Sequence, residues 1–233
     1  MNAPVDRLSI IVPVYNEVAT SRAVIDRLIA VELPLPREIL LVNDGSTYGT
    51  GTILDAAVDE SLPIIVVHAA RNGGKGSAIR EGLRQASGSI VAIQDADLEL
   101  DPAQLAGLVK PILDGHAMVV YGSRFLRGRA DAPLVGFAAN RLLTTLTNLL
   151  FGGSLTDMET CYKVMRLDVA RSIGLTAERF EIEPQITARV LRRGHRIHEV
   201  PVRFDPRSRA QGKKIGWRDG LRAVQVLVAE RLR

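Results

Sequence analysis

Asp95 and Asp97 stand two residues apart directly after the apolar run Ile90–Gln94, and no other pair in the 233-residue chain carries a clearer chemical signal. Carboxylates at i and i+2 just beyond a buried strand can both approach one hard cation where the chain turns, with water and a substrate phosphate filling its remaining sites. Polar groups close the other apolar runs in the same way. Pro13-Val14-Tyr15-Asn16-Glu17 ends the first, Asn43-Asp44-Gly45-Ser46 the second, Arg71-Asn72-Gly73-Gly74-Lys75-Gly76 follows the third, and Gly122-Ser123-Arg124 follows a later one. Any one of these can be plain turn chemistry: Asn-Asp-Gly-Ser makes a tight turn and Asp101-Pro102 starts a helix. Five polar strand ends in register point instead to a ligand site at the carboxyl edge of a sheet.

Other phosphate and metal chemistries fail on residue identity. A Walker A loop needs Gly at 69 and Ser or Thr at 76, where the chain has Ala69 and Gly76. A dinucleotide fingerprint from Gly74 and Gly76 needs a third Gly where Ile79 stands, and it follows the wrong strand. His68, His116, His195 and His198 are scattered and have no zinc-ligand spacing.

The elements that must hold these residues follow from periodicity. Leu8–Val14, Arg37–Asn43, Ile64–His68 and Ile90–Gln94 read as buried strands; Val18–Val31, Thr50–Glu60 and Gly76–Ala86 carry helical spacing. Near-continuous apolar strands alternating with helices predict an α/β fold, a mostly parallel sheet covered on both faces. A helix Pro102–Leu113, a strand Ala117–Gly122, a helix Leu134–Phe151, a strand Thr160–Met165, a helix Glu183–Arg193, a strand Ile197–Phe204 and a final helix Trp217–Arg231 complete the expectation. Leu142, Leu143, Leu146, Leu149 and Leu150 are expected on one stripe, which suits packing on the sheet or lying in a membrane interface.

Composition is that of an ordinary globular chain, 46% hydrophobic and 24% charged. The single Cys161 excludes an internal disulfide and favours a reducing compartment. The segment MNAPVDRLSIIVPVYNE lacks a signal-peptide pattern, and the longest apolar stretch, interrupted by Thr and Asn, falls short of the roughly 20 residues of a bilayer span. One domain is expected over 1–233. From Arg179 onward 14 Lys/Arg face 6 Asp/Glu, so the basic charge concentrates there and suits phosphate. Nucleic acid is a poor fit, because aromatic residues are not interleaved with those cations. Arg192, Arg193, Arg222 and Arg231 fall on helix faces and are read as solvated; Arg207, Arg209, Lys213 and Lys214 lie in an aperiodic stretch suited to closing over phosphate.

IIVPVYNE, LVNDGS, RNGGKGSAIREG and QDADLE resemble glycosyltransferase family 2, the inverting nucleotide-sugar transferases of GT-A fold, and the likeness covers most of the chain. Tyr121-Gly122-Ser123-Arg124, Asn140-Arg141, TDMETCYK, FEIEPQ and RFDPRSRAQGKK look like the branch that makes dolichyl- or polyprenyl-phosphate sugars. The resemblance implies a nucleotide-sugar half over about 1–125 and an acceptor half over about 126–233. It implies that Pro13, Tyr15, Glu17, Asp44, Ser46, Asn72, Lys75, Asp95 and Ala96 line the donor pocket, with Asp44 on the base. Asp95, Asp97 and Glu99 would hold Mg²⁺ or Mn²⁺, with Glu99 where the family more often has Gln. Arg124, Arg141, Arg209 and Lys214 would face the donor diphosphate and the acceptor phosphate, and with Asp97 form the catalytic set; Lys213-Lys214 replaces the usual Ser-Lys. The expected reaction moves a hexose from a GDP-mannose or UDP-glucose type of donor to a polyprenyl phosphate, on the cytoplasmic face of a membrane, peripherally or through a membrane partner protein. An acceptor that is already a phosphate is anionic and needs cations rather than a base. A hydroxyl acceptor would need a carboxylate base, for which Asp157 or Glu159 is placed. A non-catalytic nucleotide-binding protein is the remaining alternative.

Overall fold

The computed structural model describes residues 5–58, 62–128, 133–207 and 216–233. Arg209, Lys213 and Lys214 therefore lie outside the described residues. Seven strands form one sheet: β1 (Val5–Val14), β2 (Arg37–Asn43), β3 (Ile64–His68), β4 (Gly88–Ile93), β5 (Val119–Ser123), β6 (Lys163–Arg166) and β7 (Ile197–Pro201), in the order β3-β2-β1-β4-β6-β5-β7. β1 pairs in parallel with β2 and β4, β2 with β3 and β5 with β7, whereas β6 is antiparallel to both its neighbours. β6 alone runs against the rest, and the chain direction of the sheet reverses its spatial order beside β1, between β1 and β4. That is the switch point where open α/β sheets take ligands.

The helices are α1 (Ser21–Ala30), α2 (Thr50–Asp55), α3 (Lys75–Gln85), α4 (Leu105–Leu113, preceded by a 3₁₀ turn at Pro102–Gln104), α5 (Leu134–Phe151), α6 (Leu167–Ser172), α7 (Ile182–Arg192) and α8 (Trp217–Leu232). The central strands bury both faces, with Leu8, Ile10, Ile11, Leu40, Leu41 and Ala92 almost without exposure, which is why their sequences run apolar rather than alternating. α3 lies directly over β1 because Gly82 leaves room: a Cβ there would sit 2.5 Å from Ile11 Cγ2. A second, smaller core, built on Leu143, Met158, Ala188, Ala223 and Leu227, joins α5, α7 and α8.

Three differences from the sequence expectation have plain causes. The segment expected as Thr160–Met165 enters the sheet only at Lys163, because Thr160 Oγ1 is turned inward to the Gly122 carbonyl at 2.6 Å. β7 ends at Pro201 rather than Phe204, since Arg203 leaves the ladder to bond through its backbone N–H to Gln104. The leucines of α5 do not share one stripe. Leu143 is buried and Leu146 and Leu150 pack on the second core, but Leu142 and Leu149 remain 70% and 78% exposed. Neighbours in a helix stand about 100° apart, so Leu142/Leu143 and Leu149/Leu150 necessarily divide between two faces. With 18 residues and only 17% of it buried, α5 also meets the length and composition of a membrane span, although its inner side carries buried Asn140, Thr144 and Thr147. The short α6 had no periodic signal in the sequence.

Candidate active site

Because six strands share a direction, their carboxyl ends deliver Tyr15–Glu17, Asp44, Asp95–Glu99, Arg124 and the 202–207 segment to one edge of the sheet. β6 runs oppositely, so the residues that precede it, Thr156 to Tyr162, arrive at that same edge. The edge is tied together locally. Thr20 Oγ1 donates to the Ala96 carbonyl at 2.6 Å, linking the end of β1 to the end of β4, and the Asn16 and Thr47 loops exchange hydrogen bonds through Ser46 Oγ and Asn16 Oδ1.

Asp44 is 4% exposed and its carboxylate accepts from Gly73 N, Gly74 N and Asn72 Nδ2, each at 2.8 Å. The resemblance gives Asp44 the nucleotide base; in this conformation its oxygens are spent on shaping the Asn72–Gly74 wall. Gly74 is at φ 91°, and a Cβ there would meet the Glu178 carbonyl at 2.5 Å, so the loop admits only glycine before α3 begins.

Asp95 and Asp97 meet different partners. Lys75 Nζ lies 2.8 Å from Asp95 Oδ1 and 2.9 Å from Asp95 Oδ2, and 2.9 Å from Glu183 Oε1; Glu183 is in turn paired with the fully buried Lys163. Burial works against charge on Asp95, but the Lys75 ammonium outweighs it and holds the carboxyl below its ordinary range. The Lys75 ammonium is pushed up by the same acids against its own desolvation. In this conformation Asp95 is held by the buried Lys75. Asp97 faces Arg207, whose Nη2 is 3.0 Å from Asp97 Oδ2 and whose Nη1 is 3.2 Å from Glu17 Oε2; the Arg207 backbone N–H donates to Glu99 Oε1 at 2.8 Å. Leu98, at φ 63°, makes the tight turn that lets Glu99 N donate to Asp97 Oδ1. Burial, then the Asp95 and Glu99 charges, push Asp97 up to about 7.

Glu17 and Asp97 therefore share one guanidinium, and Glu99 is held by the backbone N–H of the same arginine. No preassembled cage of three metal-ligating side chains exists among the described residues. Mg²⁺ and Mn²⁺ in phosphate-transfer sites use one or two carboxylates and complete their shell from substrate phosphate and water, so Asp97 with Glu99 beside it fits such an ion.

Arg124 is equally committed. Its Nε and Nη2 grip Asp157 at 2.7 and 2.8 Å, its backbone N–H adds a third bond, Asn140 Nδ2 a fourth, and its guanidinium lies about 5 Å over the Phe204 and Phe125 rings. Burial alone would raise Asp157, but the Arg124 guanidinium lowers it. In this conformation both Asp157 oxygens are taken up by Arg124 and Asn140. Glu159, two residues on, has a buried Oε1 with no hydrogen-bond partner among the described residues, and burial pushes it up to about 7. Arg141 is exposed on α5, one residue from Asn140, and has no ion pair among the described residues. Glu199 was not a sequence candidate, yet it holds the Thr156–Asp157 turn through both backbone N–H groups and Thr156 Oγ1. Its signal, like that of Lys163 and Glu183, is a charged residue inside an otherwise apolar segment.

The result is an open α/β sheet with acids at its switch point and buried cations behind them, the arrangement in which such sheets take ligands. Residues 9–174 match the family model Glycosyl transferase family 2, and the chain belongs to that family. It is 31% identical over 196 residues to an undecaprenyl-phosphate 4-deoxy-4-formamido-L-arabinose transferase of Yersinia pestis (strain Pestoides F), covering 83% of this chain and 59% of that protein. The transferase of the same description from Serratia proteamaculans (strain 568) is 30% identical over 193 residues, covering 82% and 58%. The chain thus spans under two thirds of the length of these relatives. Among solved structures, glucosyl-3-phosphoglycerate synthase from Mycobacterium tuberculosis in complex with Mn²⁺, uridine diphosphate and phosphoglyceric acid superposes with a TM-score of 0.75 at 21% identity, over 97% of this chain and 78% of that one; at that identity the likeness speaks for the fold.

Proposed function

We propose that this protein is an inverting glycosyltransferase that moves a hexose from a nucleoside-diphosphate sugar, of the GDP-mannose or UDP-glucose type, to a polyprenyl phosphate. The observation that carries the reading is the gathering of Glu17, Asp97 and Glu99 around Arg207 at the switch point of the sheet. The curated relatives, described as acting on undecaprenyl phosphate, support the acceptor class. Residues 1–125 form the donor half in this reading and 126–233 the acceptor half.

A divalent ion held by Asp97, with Glu99 beside it, would supply positive charge to the departing diphosphate. The protein's own groups do the rest. Lys75 fixes Asp95 and keeps its carboxylate ionised, and Asp44 holds the glycine loop open for the donor. The phosphate oxygen of the acceptor forms the new bond to the anomeric carbon as the bond to the diphosphate breaks, which inverts that carbon. An anionic acceptor needs no proton removed, so Arg124, Arg141, Arg209 and Lys214 have the task of bringing two anions together. Arg124 does so from a position locked by Asp157.

The lipid chain of the acceptor calls for a membrane surface. Leu134, Val135, Leu142 and Leu149 on α5, and Leu221, Val228 and Leu232 on α8, are exposed apolar side chains on two helices packed together. In this reading they rest on the cytoplasmic face of the bilayer, alone or with a membrane partner protein.

Glu159 favours a second reading in which the acceptor is a hydroxyl of a glycan or small molecule, since a carboxyl that titrates near 7 suits a general base. Incubating the purified chain with Mg²⁺ or Mn²⁺, radiolabelled nucleotide sugars and membrane extract separates the readings. Label entering the organic phase, reduced about 100-fold or more by Asp97→Ala, is the expected result. Undiminished transfer by Asp97→Ala in the presence of chelator refutes the metal-assisted reading. Label on a water-soluble product selects the hydroxyl acceptor, and nucleotide binding without turnover selects a non-catalytic protein.

A further inference from the structure

Arg207 holds the position from which a cation would engage Asp97. Its guanidinium bridges Asp97 on β4's loop and Glu17 on β1's loop, at 3.0 and 3.2 Å, while its backbone N–H occupies Glu99 Oε1. Asp97 Oδ1 already accepts from the Glu99 backbone, so Oδ2, the oxygen Arg207 takes, is the one otherwise open to a metal. Both Arg207 and Asp97 are only 15% exposed and Glu17 12%, so the three charges interact with little screening by water. A guanidinium and a divalent cation cannot share these oxygens without strong repulsion.

We infer that Arg207 is a resident counter-cation that competes with the divalent ion for Asp97 and Glu17, and gives way when a nucleoside diphosphate brings compensating negative charge. This inference rests on Asp97 being the metal-holding acid. Two consequences follow. The nucleotide-free protein binds metal weakly, because Arg207 must be displaced. Metal and nucleoside diphosphate bind with strong mutual enhancement, because the phosphates accept the displaced guanidinium, whose planar fork suits them. By linkage, each ligand tightens the other by the same factor.

The test is Mn²⁺ binding to the full chain, read from the electron paramagnetic resonance signal of free Mn²⁺, with and without UDP or GDP. Wild type should bind Mn²⁺ at least about tenfold tighter with the cognate nucleotide than without it. Arg207→Gln should bind Mn²⁺ about tenfold tighter than wild type in the absence of nucleotide, and should bind the nucleotide more weakly in the presence of Mn²⁺. Opposite signs for the two ligands distinguish competition from a structural defect, which weakens both. Arg207→Lys keeps the charge and should stay close to wild type for Mn²⁺ alone. Equal or weaker Mn²⁺ binding by folded Arg207→Gln overturns the inference. So does a wild-type protein that binds Mn²⁺ equally with and without nucleotide, a result that needs no variant to fold. If Mn²⁺ binds under none of these conditions, Asp97 is not a metal-holding acid and the reading beneath the inference fails first.

Discussion

Two pairs of neighbouring acids behave oppositely here because of what each meets. Asp95 is held by Lys75 and stays ionised, while Asp97, two residues on, is pushed up by burial and by Asp95 itself. Asp157 is neutralised by Arg124, while Glu159 is buried with an unpartnered oxygen. Glu159 allows a sharp prediction. Its folded pKa of about 7 lies above the ordinary value near 4.3, so the fold favours the protonated form. Near pH 4 both folded and unfolded chains hold the proton and nothing is lost. As pH rises toward 7 the unfolded chain releases it first, so stability falls, and the full penalty persists above 7. Glu159→Gln should therefore gain roughly 3–4 kcal/mol at pH 8 and almost nothing near pH 4, measured by urea unfolding. An equal gain at both pH values, or a loss at pH 8, would show that the carboxyl is not held neutral by its surroundings.

At the level of elements, the reversed strand β6 shapes the site most. A parallel strand in its place would carry Asp157, Glu159 and Thr160 to the opposite edge of the sheet; running antiparallel between β4 and β5, it starts beside Asp95 and Arg124. Nothing in the apolar pattern of CYKVM states that direction. Helix α5 shows the same limit. Its leucines are legible as amphipathic, but only the packing against α7 and α8 assigns Leu143 to the core and leaves Leu142 and Leu149 outside. Replacing both outer leucines, Leu142→Glu with Leu149→Glu, should weaken co-sedimentation with vesicles of phosphatidylglycerol and phosphatidylcholine by about tenfold or more, since each apolar side chain contributes roughly 1.5–3 kcal/mol when removed from water. Nucleotide binding in solution should not change. Vesicle binding that survives both substitutions, or a wild type that binds no vesicles, would overturn the membrane role proposed for these leucines.

For the whole molecule, a bound donor should show itself as global stability. At a nucleotide concentration 100 times its dissociation constant the fold gains about 2.7 kcal/mol, a rise of very roughly 5 °C or more in melting temperature for a chain of this size. A panel of UDP and GDP sugars with Mn²⁺ should give such a rise for one base, and Asp97→Ala should lose the part that depends on metal; a panel with no response would remove the nucleotide-sugar reading. Strand and helix periodicity, the polar groups at the strand ends and the motif spacing of Asp95-Ala96-Asp97 are local properties, so the α/β class, the family and the gathering of polar groups at one edge of the sheet are written in the sequence alone. Which cation each acid meets is not local. Lys75 reaches Asp95 across 20 positions and Arg207 reaches Asp97 across 110; such pairs come from the closing of the sheet around its switch point, and a charge's ionisation and reach depend on that surrounding field rather than on its neighbours along the chain.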